Sequence, residues 1–210
     1  MGLIALASSA IIENVKHLRE TRPTLIAYYY FDFKDVTKRD VRGLLASLLS
    51  QLVDNSDSCW DALYQLFEAC RAGSEQPSEA ALAPCLKSMI DLPGQVPIYL
   101  IVDALYECPN DTGTPSAREK VLNFVWDLFR LSNPNIFVCI TSRPEQDINA
   151  ALNSLTSRSH HVALHEEDGQ RQDINSYIRT FVKTDTAMWR WRAEDKELVI
   201  NTLSERTNVM

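Results

Sequence analysis

Three runs of apolar residues along the chain have the length and composition of β-strands. They cover residues 25–33 (LIAYYYFDF), 97–103 (PIYLIVD) and 135–142 (NIFVCITS), and they are rich in aromatic, β-branched and aliphatic side chains. None of the three alternates regularly between apolar and polar positions, which indicates strands buried on both faces, as in a parallel sheet covered by helices. A shorter run at 160–165 (HHVALH) predicts a weaker fourth strand.

Between these runs, apolar residues recur at intervals of three and four, the spacing that predicts amphipathic helices. The clearest case lies between residues 39 and 53, where a valine and several leucines fall on one helical face. The predicted helices cover residues 3–20, 39–53, 58–71, 78–91, 116–131, 169–183 and 194–206. Strands that alternate with helices predict an α/β fold with a mainly parallel sheet.

The character of the chain changes near residue 166. From there it is helical and polar and carries the Trp-bearing segment MWRWRAEDKE (188–197). We therefore predict an α/β core over residues 1–165 and the start of a helical subdomain over residues 166–210.

The composition of the chain argues against several classes of protein. The net charge of −7 argues against a general nucleic-acid-binding protein, which needs a basic surface to neutralise phosphates. No apolar run reaches the length of a membrane span. The five cysteines are odd in number and include no CxxC pair, which favours reduced thiols in a cytoplasmic protein over a disulfide framework or a zinc site.

Acidic and polar residues follow two of the predicted strands. Asp103 ends the second long run and Glu107 lies four residues on, while Thr141, Ser142 and Arg143 end the third. Ligands of open α/β sheets bind at the carboxyl ends of the strands, where a carboxylate can hold Mg²⁺ and an arginine can contact a phosphate. The alternative is that these are ordinary polar residues at strand ends, with Arg143 a surface arginine before a proline.

Seven segments of the chain are informative when they are taken in order: LASSAIIENVKHL (6–18), LIAYYYFDFKD (25–35), LLASLLSQL (44–52), YLIVDALYECPN (99–110), FVCITSRPE (137–145), DINSYI (173–178) and WRAEDKELVINTLSER (191–206). Together they resemble NACHT-type P-loop NTPases of the signal-transduction ATPase class. In particular, they resemble the nephrocystin-like amino-terminal domain found in fungal NOD-like receptor proteins.

The resemblance implies a three-layer P-loop NTPase-like fold and Mg-ATP or Mg-GTP as the cofactor. It implies that Asp103 binds Mg²⁺, that Glu107 is the catalytic acid and that Arg143 senses the terminal phosphate. Thr141 and Ser142 would lie beside the nucleotide, as would Gly2 at the start of the first helix.

Two departures from the family pattern affect the same site. The family's glycine-rich phosphate loop ends in Gly-Lys-Ser/Thr, but Gly2, Leu3 and Ile4 stand in these positions here, so the lysine and the hydroxyl are missing. We expect the fold to lack the family's first strand and its phosphate loop. Tyr106 replaces an acidic residue, since the family's DALDEC segment is DALYEC in this chain. We therefore expect poor nucleotide binding and no turnover.

Two functions fit these residues. The first is a nucleotide-binding switch domain of a fungal NLR-like signalling protein, degenerate at its phosphate loop. The alternative is a catalytically inactive NTPase-fold fragment that acts as a protein-interaction scaffold. In either case we expect self-association or protein partners through a longer parent architecture, and neither nucleic acid nor membrane as a partner.

Overall fold

The three long apolar runs form one parallel sheet, as predicted. The structure is a computed structural model that describes residues 3–71, 73–155, 160, 162, 168–185, 188–189 and 191–207; for 3–7, 168–174 and 205–207 it describes the backbone alone. The strands are β1 (Leu25–Tyr30), β2 (Ile98–Asp103) and β3 (Ile136–Ile140), in the order β1-β2-β3. The predicted α/β fold with a mainly parallel sheet is confirmed, in a layout that is Rossmann-like or P-loop-like.

Eight α-helices lie among the described residues. They are α1 (Leu3–Thr21), α2 (Val41–Val53), α3 (Asp57–Ala69), α4 (Glu79–Ile90), α5 (Ala117–Arg130), α6 (Gln146–Asn153), α7 (Asp168–Thr184) and α8 (Ala193–Thr207). All but α6 follow the predicted spans closely. The helix α6 was not predicted, because it is short and polar and buries a single apolar side chain, Ile148.

The pairing register brings the carboxyl ends of the strands together. Leu25 lies opposite Ile98 and Tyr30 opposite Asp103, so β1 and β2 end at the same level. On the other side of β2, Val102 lies opposite Ile140. The residues that follow β2 and β3 therefore emerge side by side at one edge of the sheet.

Helices cover both faces of the sheet. On one face the larger core forms, where α2, α4 and α5 pack on side chains that alternate along the strands. The apolar residues of α2 that the sequence pattern placed on one face are buried there: Val41, Leu44, Leu45, Leu48, Leu49 and Leu52. On the opposite face α1 packs Ile12 and Val15 against Ile26 and Ile101. This packing determines the position of α1 along β2, beside the carboxyl end of the strand.

The outer edge of β1 is closed by a side chain from α2. The amide of Gln51 accepts a hydrogen bond from the backbone N–H of Tyr28 at 3.1 Å, and its nitrogen donates to the Tyr28 carbonyl at 2.7 Å. The Gln51 nitrogen also lies 3.0 Å from the hydroxyl of Ser47, one turn earlier in the helix. Gln51 thus takes the place of a neighbouring strand at this point of the sheet.

The chain divides into two compact units, residues 1–155 and 156–210. In the second unit α7 and α8 pack on each other, with Val182 and Ile200 buried. The predicted boundary between 165 and 166 lies outside the described residues, as does most of the predicted strand at 160–165. No helix of the described part has the length and apolar character required to cross a bilayer. All five cysteines are free thiols.

Candidate functional site

The carboxylate of Asp103 is buried at the carboxyl end of β2. Only 3% of the residue is exposed, and one oxygen of its carboxylate accepts hydrogen bonds from two hydroxyl groups. One belongs to Ser8 of α1 and the other to Thr141, directly after β3. Burying a carboxylate is unfavourable unless donors replace its water, and these hydroxyls do so. The two predicted site residues Asp103 and Thr141 are therefore in direct contact.

The chain turns sharply after Asp103. Ala104 has a left-handed backbone conformation (φ 55°, ψ 42°), which ends the strand and begins the 3₁₀ turn Leu105–Glu107. The turn is held against the end of β3, because the Ala104 N–H donates to the Thr141 hydroxyl at 3.1 Å and the Leu105 N–H to the Thr141 carbonyl at 3.0 Å. The strand end and the acidic turn thus form a single hydrogen-bonded unit.

Glu107, the last residue of this turn, accepts hydrogen bonds from two donors. Its carboxylate accepts a hydrogen bond from the Phe33 N–H at 3.3 Å and another from the Tyr106 hydroxyl at 3.0 Å. Burial, and then this hydrogen bond to Glu107, raises the pKa of the Tyr106 phenol. The guanidinium of Arg143 stacks on the Tyr106 ring, with its central carbon 4.5 Å from the ring centroid. Tyr106 therefore links the predicted residues Glu107 and Arg143.

An open cavity of about 440 Å³ lies against these side chains. Its charged lining consists of Glu107 and three arginines, Arg39, Arg118 and Arg143. Asp103 and Thr141 are not among its lining residues. The structure thus brings the predicted residues together as two pairs: Asp103 with Thr141 in the buried unit, and Glu107 with Arg143 at the cavity.

A sequence-family profile described as "Nephrocystin 3, N-terminal" matches residues 5–143, about two-thirds of the chain. The chain belongs to this nephrocystin 3 N-terminal family. The matched segment runs from α1 to Arg143 and so includes both residue pairs of the candidate site. No curated protein and no solved structure gives a significant match.

In this nephrocystin 3 N-terminal domain, Arg118 holds the walls of the cavity together. Its Nε donates to the Cys108 carbonyl at 2.9 Å and one terminal nitrogen donates to the Tyr106 carbonyl at 2.7 Å. The other terminal nitrogen forms ion pairs with Glu145 and, at 3.2 Å, with Asp147. Arg118 therefore connects the turn that carries Glu107 to the segment that follows Arg143.

Sequence reasoning did not identify Arg118 or Ser8. Arg118 falls in the first turn of α5 and resembles a solvent-facing residue of an amphipathic helix, although its side chain is only 7% exposed. A buried serine in α1 carries no signal without its partner 95 residues away.

Two other predicted site residues have no assigned contact. Gly2 lies outside the described residues. Ser142 follows Thr141, but its hydroxyl oxygen is buried and makes no hydrogen bond within the described part of the chain. The predicted places of Gly2 and Ser142 beside a nucleotide stay predictions.

The residues at the strand end suit Mg²⁺ in one respect. Asp103, Ser8 and Thr141 offer a carboxylate and two hydroxyls, and Mg²⁺ prefers such oxygen ligands. However, no group of three or more His, Cys, Asp or Glu side chains that could hold a metal occurs among the described residues. Protein sites of this kind typically bind Mg²⁺ through one or two carboxylates together with substrate phosphates. Asp103 fits that arrangement only when a phosphate accompanies the ion.

Proposed function

We propose that this chain is a nucleotide-binding domain of the NACHT type, related to the switch domains of fungal NLR-like signalling proteins, and that it binds nucleotide weakly without hydrolysing it. The observation that carries the proposal is the cavity beside the end of β2, where one carboxylate meets three guanidinium groups. The parallel sheet and the family membership support it. A cytoplasmic location is part of the same proposal.

Three guanidinium groups and one carboxylate line the cavity. Arg118 is neutralised by Glu145 and Asp147, but Arg39 and Arg143 form no ion pair with any described residue. The Nε of Arg39 is buried and has no hydrogen-bond partner in the described part of the chain. Guanidinium groups bind phosphate through paired, charge-assisted hydrogen bonds. In a chain with a net charge of −7, such a cavity favours a phosphate-bearing ligand.

The same residues argue against turnover. Hydrolysis depends on a positioned phosphate and a positioned water, and most of that positioning comes from the phosphate loop. Leu3 and Ile4 stand where the loop's lysine and hydroxyl belong and supply neither charge nor hydroxyl. Glu107, the candidate for orienting water, already accepts hydrogen bonds from Phe33 and Tyr106.

Mg²⁺ would be held by Asp103 with Ser8 and Thr141, and when bound it would neutralise charge on the phosphates. The carboxylate of Asp103 already accepts both hydroxyl hydrogens, so ion binding competes with contacts that stabilise the fold. We therefore expect the domain to depend more on its arginines than on the metal for holding a nucleotide.

The decisive experiment is calorimetric titration of the whole chain with Mg-ATP and with Mg-GTP. Losing several charge-assisted contacts worth roughly 1.5–3 kcal/mol each predicts a dissociation constant on the order of 0.1–1 mM. The double variant R39Q/R143Q should abolish this binding. The exposed Arg130 at the end of α5 provides the matched control, and R130Q should bind as the wild type does.

A phosphate-release assay on the same samples tests the absence of turnover. Micromolar affinity together with phosphate release that disappears in D103A would contradict a degenerate site. Binding that is unchanged in R39Q/R143Q would show that the cavity does not hold the phosphates.

A protein-interaction scaffold without catalysis is the second candidate function. It is favoured by large apolar side chains that remain exposed on α3, including Trp60 and Tyr64. Undetectable binding of both nucleotides in the titration would favour this candidate. Self-association and binding of other proteins belong to it as proposals.

A further inference from the structure

One face of α3 carries three exposed aromatic side chains. Trp60 is 59% exposed, Tyr64 is 59% exposed and Phe67 is 46% exposed. Spacings of four and three residues place them in one row along the helix. The rings of Tyr64 and Phe67 lie 6.4 Å apart, and Phe67 lies over Gly73 beyond the end of the helix. The row is therefore a strip of apolar surface that faces solvent.

Acidic residues border this row on one side. At about 100° per residue, Asp57, Asp61 and Glu68 project roughly 60–100° around the helix from Trp60, and all three are exposed. The opposite side of the row is the face on which α3 packs into the core, through Cys59, Leu63 and Leu66. The helix contains no lysine or arginine. We call the three aromatic and three acidic residues the aromatic–acidic surface of α3.

We propose that the aromatic–acidic surface of α3 binds a basic amphipathic segment of another protein. When a partner covers exposed aromatic rings, the binding free energy becomes more favourable by about 25 cal/mol for each Å² of apolar area that is buried. The flanking carboxylates attract lysine and arginine and orient the partner along the helix. A segment with an apolar stripe and basic flanks matches both features, as in other complexes where an amphipathic helix packs on an apolar groove.

The charges on this surface oppose other occupants. Anionic lipid headgroups and nucleic-acid phosphates are repelled by the three carboxylates. A second copy of the chain, docked symmetrically through the same face, would place each acidic flank against a surface with the same charge. The aromatic–acidic surface shares no residue with the cavity lined by Glu107 and the three arginines, so this proposal does not depend on nucleotide binding.

The test uses the whole chain and a synthetic probe. The probe is an 18-residue helix of leucine and lysine with leucine at positions i, i+3, i+4 and i+7, labelled for fluorescence anisotropy. The wild-type chain should bind it, and a matched leucine–glutamate peptide should not bind. W60A/Y64A should weaken binding at least about tenfold, because central aromatic residues dominate such interfaces. W126A, which removes an exposed tryptophan from α5, is the matched control and should bind normally.

The charge part of the proposal has its own pair of variants. D61N/E68Q should lower the affinity about threefold to tenfold at low ionic strength and reduce its dependence on salt. D127N, which removes an exposed acid from α5, should leave both unchanged. Circular dichroism of each variant establishes that the fold is retained, as expected for exposed positions.

Three results would overturn the proposal. One is equal affinity of W60A/Y64A and the wild type for the leucine–lysine peptide. Another is binding to phosphatidylcholine vesicles that requires Trp60 and Tyr64, without binding of the peptide. The third is a concentration-dependent dimer, seen by analytical ultracentrifugation, that W60A/Y64A abolishes.

Discussion

The hydroxyl of Ser8 in α1 donates a hydrogen bond to the carboxylate of Asp103 at the end of β2. Both residues are buried, and this contact joins the layer formed by α1 to the strand that carries the candidate site. In S8A the carboxylate keeps the Thr141 hydroxyl but loses one of its two hydroxyl donors. We expect S8A to lower the free energy of unfolding by about 1.5–3 kcal/mol, the range for hydrogen bonds to charged groups.

Urea unfolding monitored by circular dichroism measures this change. S50A, at an exposed serine of α2, should unfold like the wild type. A free energy of unfolding for S8A equal to that of S50A would mean that the Ser8–Asp103 hydrogen bond contributes nothing to stability.

Replacing Arg118 should loosen the cavity wall and destabilise the domain. R118A leaves the carbonyls of Tyr106 and Cys108 without their donor and leaves Glu145 and Asp147 without their cation. We expect a loss of about 2–4 kcal/mol in urea unfolding. R118K keeps the charge but not the planar set of donors, and it should recover only part of that loss.

Hydrogen exchange distinguishes the local effect of Arg118 from a general one. Amide exchange in residues 105–108 should accelerate in R118A more than in the strands β1 and β2. R130A, at the exposed end of the same helix, should match the wild type in both measurements. Uniform acceleration throughout the chain would contradict the local role.

Stability should fall at alkaline pH, in part because of Cys108. Burial raises the pKa of its thiol from the ordinary 9.0 to about 12. The unfolded chain therefore releases this proton near pH 9, whereas the folded chain retains it until about pH 12. The stabilisation is complete below pH 9 and is lost as the pH rises towards 12, at a rate of about 1.4 kcal/mol per pH unit.

Unfolding curves of the wild type and C108S between pH 8 and pH 11 measure this effect. Above pH 9, the free energy of unfolding should fall less steeply with pH for C108S than for the wild type. The two slopes should differ by about 1.4 kcal/mol per pH unit. Burial also raises the pKa of Tyr29, which contributes to the slope of both proteins. Equal slopes for the two proteins would refute the assignment to Cys108.

Gly43 in α2 should not tolerate alanine. In most helices a change from glycine to alanine is stabilising by up to about 1 kcal/mol. Here a Cβ atom would overlap the Thr37 carbonyl oxygen and lie 2.8 Å from the Tyr29 hydroxyl oxygen. We therefore expect G43A to destabilise the domain by about 1–3 kcal/mol in urea unfolding. If G43A were as stable as the wild type, the turn before α2 would have to shift at little cost in free energy.

The sequence predicted the sheet well because buried parallel strands leave a strong signal. The apolar runs located β1, β2 and β3, and the leucines of α2 gave its buried face. The carboxyl ends of parallel strands lie at one edge of the sheet, and this rule alone predicted that Asp103 and Thr141 would be neighbours. In the structure their side chains are hydrogen bonded to each other.

The polar contacts that shape the site could not be predicted, because they join residues far apart in the chain. Arg118 pairs with acids 27 and 29 positions away, and Arg143 lies over the ring of Tyr106, in the turn that follows the left-handed residue Ala104. Alanine does not favour the left-handed conformation, so the residue type at position 104 does not predict the turn.

The amide of Gln51 has a consequence for how this protein behaves among copies of itself. An exposed edge strand has unpaired N–H and C=O groups to which a strand of another chain can hydrogen bond. Such pairing is the first step towards cross-β fibrils. By occupying the N–H and the carbonyl of Tyr28, Gln51 removes the docking points at the centre of a strand rich in tyrosine and aliphatic residues. A single polar side chain thus makes it harder for another copy of the chain to pair with β1 at Tyr28.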